Sequence, residues 1–167
     1  LVTGPTQEVA PAGITVTPVE TAEQMLTACA AAGPFDIAVC AAAVADWRVA
    51  HKGEAKLKKN NDGPPALVLT ENPDILATLS KAGDRRPGLV VGFAAETESV
   101  IENGTAKRTS KNCDWIVAND VSGGFGGDSN TVHLITDQGV DSWPTLSKKA
   151  VAERLASRVA DYIKRDL

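Results

Sequence analysis

Short apolar segments alternate with segments of helical spacing along most of this chain. Runs of apolar residues that lack a polar residue at every second position are typical of strands buried on both faces of a sheet. A helix between two such strands provides the long crossover that parallel strands need. The sequence therefore predicts an α/β domain with a Rossmann-like, mainly parallel sheet and helices on both faces. The predicted strands cover residues 14–19, 36–40, 66–69, 89–94 and 115–118.

The predicted helices are marked by their end signals. Thr21 and Gln24 have the spacing of a capping box, and the helix that they open ends at Gly33. Asn72 is predicted to be an N-cap followed by Pro73 at the first helical position, opening a helix to about residue 80. Two further helices are predicted over residues 97–111 and 147–164.

A C-terminal β-hairpin is predicted to complete the sheet. Residues 132–136 and 140–143 have strand character and flank the turn at Asp137-Gln138-Gly139. The chain has 167 residues, no internal repeat and no interdomain linker. We therefore expect residues 1–167 to form a single domain.

Charge and composition exclude several classes of protein. The 17 basic and 21 acidic residues give a net charge of −4, so we expect no nucleic-acid partner. No apolar run reaches the roughly 20 residues of a membrane helix, so we expect no membrane partner. The three cysteines lack CxxC spacing and the two histidines belong to no metal-ligand motif. A disulfide framework and a zinc site are therefore not predicted, and the expected compartment is the cytoplasm.

A run of small residues follows the strand predicted at 36–40, in the place where ligands bind in parallel sheets. Ala42 and Ala43 would let a ligand lie against exposed backbone groups, and Asp46 would accept hydrogen bonds from a sugar or a base. The alternative is tight packing at a sheet edge, with Asp46 capping a turn.

Two groups of lysines indicate an anionic ligand. Lys56, Lys58 and Lys59 place three positive charges in four residues, and a polyphosphate would relieve their repulsion. Lys107 and Lys111 share one helical face and suggest two further phosphate contacts. The alternatives are a solvated surface run and compensation of the helix dipole, respectively.

Three further features give weaker indications of a ligand site. Phe93 either presses its ring on a base or belongs to the core. The glycine-rich segment 122–128 matches neither of the usual phosphate-binding glycine patterns and is interpreted as a loop, with a lid as the alternative. Cys40, with no histidine nearby in the sequence, is predicted to be a buried structural thiol. Taken from the residues alone, the chain is a soluble α/β domain that binds a phosphorylated ligand, most naturally a nucleotide.

An ordered set of motifs resembles the phosphopantothenate–cysteine ligase family, the ligase half of the bacterial bifunctional coenzyme A biosynthesis protein. The order and spacing of these motifs are more specific than any one of them, and they cover nearly the whole chain. The motifs are AAVADWR at 42–48, KLKK at 56–59, NPDIL at 72–76, VGFAAET at 91–97, Lys107 with Lys111, and VANDV at 117–121.

The resemblance implies a reaction and the residues that serve it. CTP with Mg²⁺ would activate the carboxylate of 4′-phosphopantothenate as an acyl-cytidylate, and the amine of cysteine would then displace CMP. Lys56 matches the family's catalytic lysine, which also contacts the nucleotide; the metal ligands are unknown. The other positions that match nucleotide contacts are Ala42, Ala43, Asp46, Asn72, Pro73, Asp74, Ile75, Phe93, Lys107 and Lys111.

The resemblance also sets expectations for partners and for the start of the domain. It implies a homodimer, with the hairpin at 132–143 as a dimer element, and fusion to a flavin-dependent decarboxylase domain. The family begins with a strand, a GxTxExxDPVRxIxNxSSG segment and a helix, whereas Gly4-Pro5 here matches the end of the family's next strand. We therefore expect a domain without that first strand, turn and helix, and without the asparagine that holds the acyl intermediate.

Two other functions remain open from the sequence. The missing first motif is compatible with a non-catalytic nucleotide-binding module or partner subunit. An NAD-dependent oxidoreductase domain is the second alternative, but it requires a GxGxxG turn after the first strand, and the sequence has none.

Overall fold

The computed structural model describes residues 1–51, 66–122 and 129–165, and helices and strands alternate through this part of the chain. The helices are α1 (Ala22–Ala32), α2 (Ile75–Ser80), α3 (Val100–Lys111) and α4 (Lys148–Arg165), with a 3-10 turn at Gly83–Arg85. The strands are β1 (Val2–Thr3), β2 (Thr17–Pro18), β3 (Ile37–Cys40), β4 (Trp47–Val49), β5 (Leu69–Glu71), β6 (Leu89–Glu96), β7 (Trp115–Asp120), β8 (Ser129–Asn130), β9 (Val132–Thr136), β10 (Gly139–Ser142) and β11 (Leu146–Ser147).

The central sheet has the strand order β10-β9-β7-β6-β3. Strands β3, β6 and β7 run parallel, and the hairpin β9–β10 joins the outer edge of β7 in the antiparallel direction. The described residues also form three separate two-stranded pairs, which are β1–β2, β4–β5 and β8–β11. The predicted α/β class, the mainly parallel sheet and the C-terminal hairpin are confirmed.

Helices cover both faces of this sheet, as the sequence predicted. On one face Val91 and Leu134 are fully buried and belong to one core cluster with Leu155 of α4. On the other face Ile116 and its neighbours form a second cluster, against which Leu76 of α2 and other side chains pack. The alternation of strand residues between two helical layers explains why the strands are apolar almost throughout.

Helix α3 forms in spite of the unfavourable Asn103-Gly104 pair in its sequence. A Cβ atom on Gly104 would lie 2.6 Å from Cδ1 of Ile135 and 3.0 Å from Cβ of Ala118. The glycine therefore lets the helix approach the sheet more closely than any side chain would allow. Near the helix start, the Asn103 amide donates to the Glu98 carbonyl at 3.0 Å.

Several predicted boundaries are wrong. The strand predicted at 14–19 is only β2, because β1 offers two residues for pairing; Ile14 and Val16 remain exposed. The strand predicted at 66–69 lies at β5, where its partner is β4. Helix α3 begins three residues later than predicted, after Ser99 in the left-handed region. Strands β6 and β7 both extend two residues further than predicted, because they continue to pair with each other.

The predicted N-cap at Asn72 is also wrong. The cap of α2 is Asp74, whose Oδ1 accepts a hydrogen bond from the Ala77 amide at 2.9 Å. Pro73 therefore precedes the helix and does not begin it. The side chain of Asn72 is directed elsewhere: Nδ2 donates to the Ala45 carbonyl, and Oδ1, the atom that would act as a cap, accepts from Nη1 of Arg48 at 3.4 Å.

No helix in residues 1–51, 66–122 and 129–165 has both the length and the apolar character needed to cross a membrane.

Candidate functional site

A cavity of about 1270 Å³ lies beside β3, the strand at one edge of the central sheet. Its wall includes the loop that follows β3, the loop that precedes α2 and one face of α3, so residues distant in the sequence converge there. Of the candidate residues that the structure describes, only Ala43 is not part of the lining. The candidates in the lining are Ala42, Asp46, Asn72, Pro73, Asp74, Ile75, Phe93, Lys107 and Lys111.

The two loops of this site are joined by hydrogen bonds. The backbone amide of Asn72 donates to the Asp46 carbonyl at 2.8 Å. Its side-chain Nδ2 donates to the Ala45 carbonyl, also at 2.8 Å. This second bond holds the small-residue loop after β3 against the start of α2. Loop 41–46 thus keeps its exposed backbone at the cavity, as expected for a segment that a ligand can approach closely.

Asp74 combines two roles on its two carboxylate oxygens. Oδ1 caps α2 through the Ala77 amide, and Oδ2 forms an ion pair with Nζ of Lys111 on α3. Burial alone would raise the pKa of Asp74, but the hydrogen bonds from Lys111 and Ala77 and the nearby positive charge of Lys107 outweigh it, so the pKa lies below its ordinary value. The carboxylate is therefore ionised at neutral pH and ties α2 to α3 across the cavity wall.

Lys107 and Lys111 reach the cavity from the last two turns of α3. Both side chains are half-buried, and Lys111 is 33% exposed. They come from a helix on the face of the sheet, not from a loop at a strand end, where most of the other candidates lie. Two ammonium groups beside a cavity are able to neutralise an anionic ligand.

Phe93 approaches the cavity from the other face of the sheet. Successive residues of β6 point to opposite faces, and Gly92 faces Leu76 of α2. Phe93 instead packs against the cluster that contains Leu155 of α4, and it is half-buried. The ring is therefore part of the core on one side and of the cavity wall on the other, and its contact with a base stays a prediction.

Cys40, at the end of β3, is the thiol that lines this part of the cavity beside Asp74. Burial, reinforced by the neighbouring Cys29 and Cys113 thiols and by Asp74, raises the pKa of Cys40 to about 11. The thiol is consequently protonated at neutral pH and is a poor nucleophile. The structure agrees with the prediction of a structural thiol, although Cys40 is half-buried and not fully buried.

Two predictions from the sequence lie outside the described residues. Lys56, with Lys58 and Lys59, falls in the interval between β4 and β5 that the structure does not describe. Most of the glycine-rich segment, residues 123–128, also lies outside the described part.

Sequence analysis gave no role to Arg48, whose side chain contacts the end of β5, the loop that precedes α2 and helix α1. Its Nη1 donates to the Glu71 carbonyl and, at 3.4 Å, to Oδ1 of Asn72. Its Nη2 pairs with Oε1 of Glu23 at 2.9 Å. The signal in the sequence was a single arginine inside the AAVADWR motif, and nothing local distinguishes it from a surface cation.

The described residues contain no group of three or more histidine, cysteine, aspartate or glutamate side chains close enough to hold a metal ion. Two carboxylates, those of Asp46 and Asp74, nevertheless line the cavity.

The sheet, its two helical layers and a cavity with polar and apolar walls beside the loops that follow β3 and β5 define a Rossmann-like α/β domain with a candidate small-molecule site. The profile of the family described as "DNA/pantothenate metabolism flavoprotein C-terminal domain" matches residues 1–163. The chain belongs to this family.

Curated relatives agree with this assignment. The chain is 37% identical over 164 residues to the coenzyme A biosynthesis bifunctional protein CoaBC of Vibrio vulnificus strain YJ016; the match covers 95% of this chain and 41% of that protein. It is 38% identical over 164 residues to CoaBC of Mycobacterium tuberculosis strain H37Rv, covering 92% of this chain and 38% of that protein. The chain thus spans about two fifths of the length of these relatives.

Solved structures show the same fold. The crystal structure of the C-terminal domain of CoaBC matches with a TM-score of 0.79 and 32% identity, covering 98% of this chain and 74% of that one. A mutant of Cab2 in complex with phosphopantothenate-cysteine matches with a TM-score of 0.60 and 16% identity, covering 90% of this chain and 54% of that one. At that identity the second match supports the fold alone.

Proposed function

We propose that this chain carries the ligase activity that joins 4′-phosphopantothenate to cysteine in coenzyme A biosynthesis, with CTP as the activating nucleotide. The observation that carries the proposal is a single cavity that combines exposed loop backbone, the Asn72–Asp74 segment and two lysines. Such a lining offers polar groups for a base and sugar and positive charge for phosphates. Membership of the family and the CoaBC relatives support the same activity.

The proposed reaction has two steps. A carboxylate oxygen of 4′-phosphopantothenate attacks the α-phosphorus of CTP, and pyrophosphate leaves with the electrons of the broken P–O bond. The amine of cysteine then attacks the acyl carbon, CMP leaves, and the amine loses a proton as the amide forms. Positive side chains near the phosphates assist the first step because negative charge shifts onto the leaving pyrophosphate.

The residues of this chain are assigned as follows. Backbone groups near Ala42 and Ala43, together with residues 72–75, read the cytosine and the ribose, and Asp46 accepts from a hydroxyl or amino group. Lys107 and Lys111 bind the triphosphate, and Phe93 shields the nucleotide. Lys56 is assigned as the lysine that stabilises charge during acyl-cytidylate formation, by its match to the family motif.

Magnesium fits this proposal as a partner of the nucleotide. Mg²⁺ keeps several waters and binds through one or two carboxylates plus substrate phosphates, so it does not need a cage of protein ligands. Asp46 lines the cavity in a position to take such a role, while Asp74 is already engaged by Lys111 and Ala77. When bound with the triphosphate, the ion would shield its charge.

The proposal extends to partners and compartment. By analogy with the CoaBC relatives, the ligase would work beside a flavin-dependent decarboxylase domain, in the cytoplasm. A homodimer is proposed through the β9–β10 hairpin, whose β10 forms one edge of the central sheet. Light scattering of the purified full-length protein tests the dimer, since a monomeric mass at micromolar concentration would contradict it.

The nucleotide is tested by pyrophosphate release from the full-length protein with 4′-phosphopantothenate and Mg²⁺. CTP should support release and ATP should do so poorly, because a site built to hydrogen-bond one base leaves buried polar groups unpaired with another. Equal turnover with both nucleotides would contradict the cytidine assignment. CTP binding without pyrophosphate release or amide formation would instead favour the non-catalytic nucleotide-binding module.

The role of Lys56 is tested by Lys56→Gln with Lys59→Gln as its matched control. Loss of one preorganised charge at the reacting phosphate should slow pyrophosphate release by about 10²- to 10³-fold. Lys59 would point the other way in an extended segment, so its substitution should be much milder. Near-normal release by Lys56→Gln, with an unchanged melting temperature, would mean that Lys56 is not the activating lysine.

A further inference from the structure

Arg48 lies where three segments of the candidate site meet. It is the middle residue of β4, paired with Thr70 of β5, and its side chain is 33% exposed. One terminal nitrogen, Nη1, serves the Glu71 carbonyl and Oδ1 of Asn72, and the other, Nη2, faces Glu23 on α1. Arg48 itself is not part of the cavity lining. Any effect that it has on a ligand in the cavity must therefore act through another residue.

Arg48 and the Ala45 carbonyl together fix the orientation of the Asn72 side-chain amide. An asparagine side chain has one accepting end and one donating end. Because Oδ1 of Asn72 faces the guanidinium, Nδ2 points away from it and donates to the Ala45 carbonyl at 2.8 Å. In the opposite orientation two donors would face each other at Arg48, and two acceptors would face each other at Ala45.

Lysine is unable to replace this arrangement. The guanidinium is a rigid planar fork with five donors, and here it serves a backbone carbonyl, a side-chain amide and a carboxylate at once. A lysine ammonium is a single point charge on a flexible stem, so it would serve one or two of these acceptors. Without the fork, the Asn72 side-chain amide keeps its bond to the Ala45 carbonyl but loses the second of the two contacts that select its orientation.

We propose that Arg48 is a positioning residue for nucleotide binding, which acts by orienting the Asn72 amide so that loop 41–46 and the start of α2 are held together. This inference rests on the proposed function for its ligand. The hydrogen bonds that join Asn72 to loop 41–46 are present in the protein alone, so they can be tested without any nucleotide.

The first experiment measures the dissociation constant of CTP for the full-length protein by calorimetry, well below the melting temperature. Arg48→Lys should weaken CTP binding about tenfold, by the usual scale for coupled hydrogen-bonded neighbours. In steady-state assays the KM for CTP should rise by a similar factor while kcat stays within twofold. Glu23→Gln, which keeps a hydrogen-bond acceptor for Nη2, should change binding by less than about twofold.

A double-mutant cycle separates positioning from general destabilisation. If Arg48 acts through Asn72, the double variant Asn72→Ala, Arg48→Lys should bind CTP less than about twofold more weakly than Asn72→Ala alone. A full tenfold further loss in the Asn72→Ala background would overturn the proposal. Arg85→Lys is the matched control, because Arg85 also donates to α1, at the Ala30 carbonyl, but far along the helix from these loops. It should leave CTP binding unchanged.

Hydrogen exchange provides the readout that is independent of the nucleotide. The backbone amide of Asn72 donates to the Asp46 carbonyl. Arg48→Lys should therefore increase the exchange rate of this backbone amide in the ligand-free protein by about tenfold, without changing exchange in α3. An unchanged rate at Asn72 would overturn the proposal. If the wild-type protein binds no CTP but this exchange effect is present, the nucleotide assignment fails and the role of Arg48 in joining the loops stands.

Discussion

Each oxygen of the Asp74 carboxylate makes one stabilising interaction, so two substitutions at this position can measure the two contributions separately. Oδ1 accepts from the Ala77 amide as the N-cap of α2, while Oδ2 faces Lys111. Asp74→Asn keeps an oxygen for the cap but removes the charge that pairs with Lys111. Asp74→Ala removes both interactions.

The expected magnitudes follow from the exposure of the two side chains. Asp74 is 41% exposed and Lys111 is 33% exposed, so their ion pair is screened by solvent and is expected to contribute about 0.5 kcal/mol. Loss of an N-cap costs about 1 kcal/mol. Asp74→Asn should therefore lower the free energy of unfolding by about 0.5 kcal/mol and Asp74→Ala by about 1.5 kcal/mol. Lys111→Met should resemble Asp74→Asn, since it removes the same pair.

Urea unfolding followed by tryptophan fluorescence measures these differences, and pH provides a second test. Because the pKa of Asp74 is lowered in the folded protein, its ion pair stabilises at neutral pH and is lost as the pH falls below the ordinary value of 3.8. The difference between wild type and Asp74→Asn should thus shrink between pH 7 and pH 3. Equal losses for Asp74→Asn and Asp74→Ala at pH 7 would refute the division into a cap and an ion pair.

One further substitution and one thiol reaction test the packing. Gly104→Ala should lower the free energy of unfolding by about 1 kcal/mol or more, although alanine favours helices, because the new Cβ would lie 2.6 Å from Ile135; a more stable variant in urea unfolding would contradict the close approach of α3. Cys40, with a pKa raised to about 11, should react with a disulfide reagent at pH 8 more than about tenfold slower than free cysteine, and its rate should rise steeply towards pH 11; a pH-independent rate in the Cys29→Ala, Cys113→Ala background would contradict the protonated thiol.

The fold class was predictable because its signals are local and repeated. The apolar runs at 89–94 and 115–118 form β6 and β7, which lie inside the central sheet and are buried on both faces. The runs predicted at 14–19 and 66–69 contribute only to two-stranded pairs and keep exposed apolar side chains. Boundaries were less predictable because they depend on pairing. Ile14 and Val16 have strand character, but β1 provides no further partner for them, so their segment is not a strand.

The start of α2 shows why local signals can be ambiguous. Asn72 and Asp74 are both good N-caps, and Pro73 is acceptable on either side of the helix boundary. The choice is made by contacts 27 residues away at Ala45 and 37 residues away at Lys111, which occupy Asn72 and fix Asp74. Both contacts span far more residues than the few that define a helix end, so the local sequence pattern could not decide which residue is the N-cap.

The lysines of α3 show the same limit for the site. Compensation of the helix dipole accounts for positive charge in the last turns of a helix, but it does not say which way each cation points. Arg108, between the two lysines in the sequence, turns to the Asp114 carbonyl at 3.4 Å, whereas Lys107 and Lys111 line the cavity. Compensation of the helix dipole does not explain why these three cations at one helix end point in different directions. Lys111 is oriented by its ion pair with Asp74, and Lys107 lies in the same cavity wall. Two cations in one wall of the cavity support the proposed contacts with the triphosphate, whereas the ion pair alone explains only the direction of Lys111.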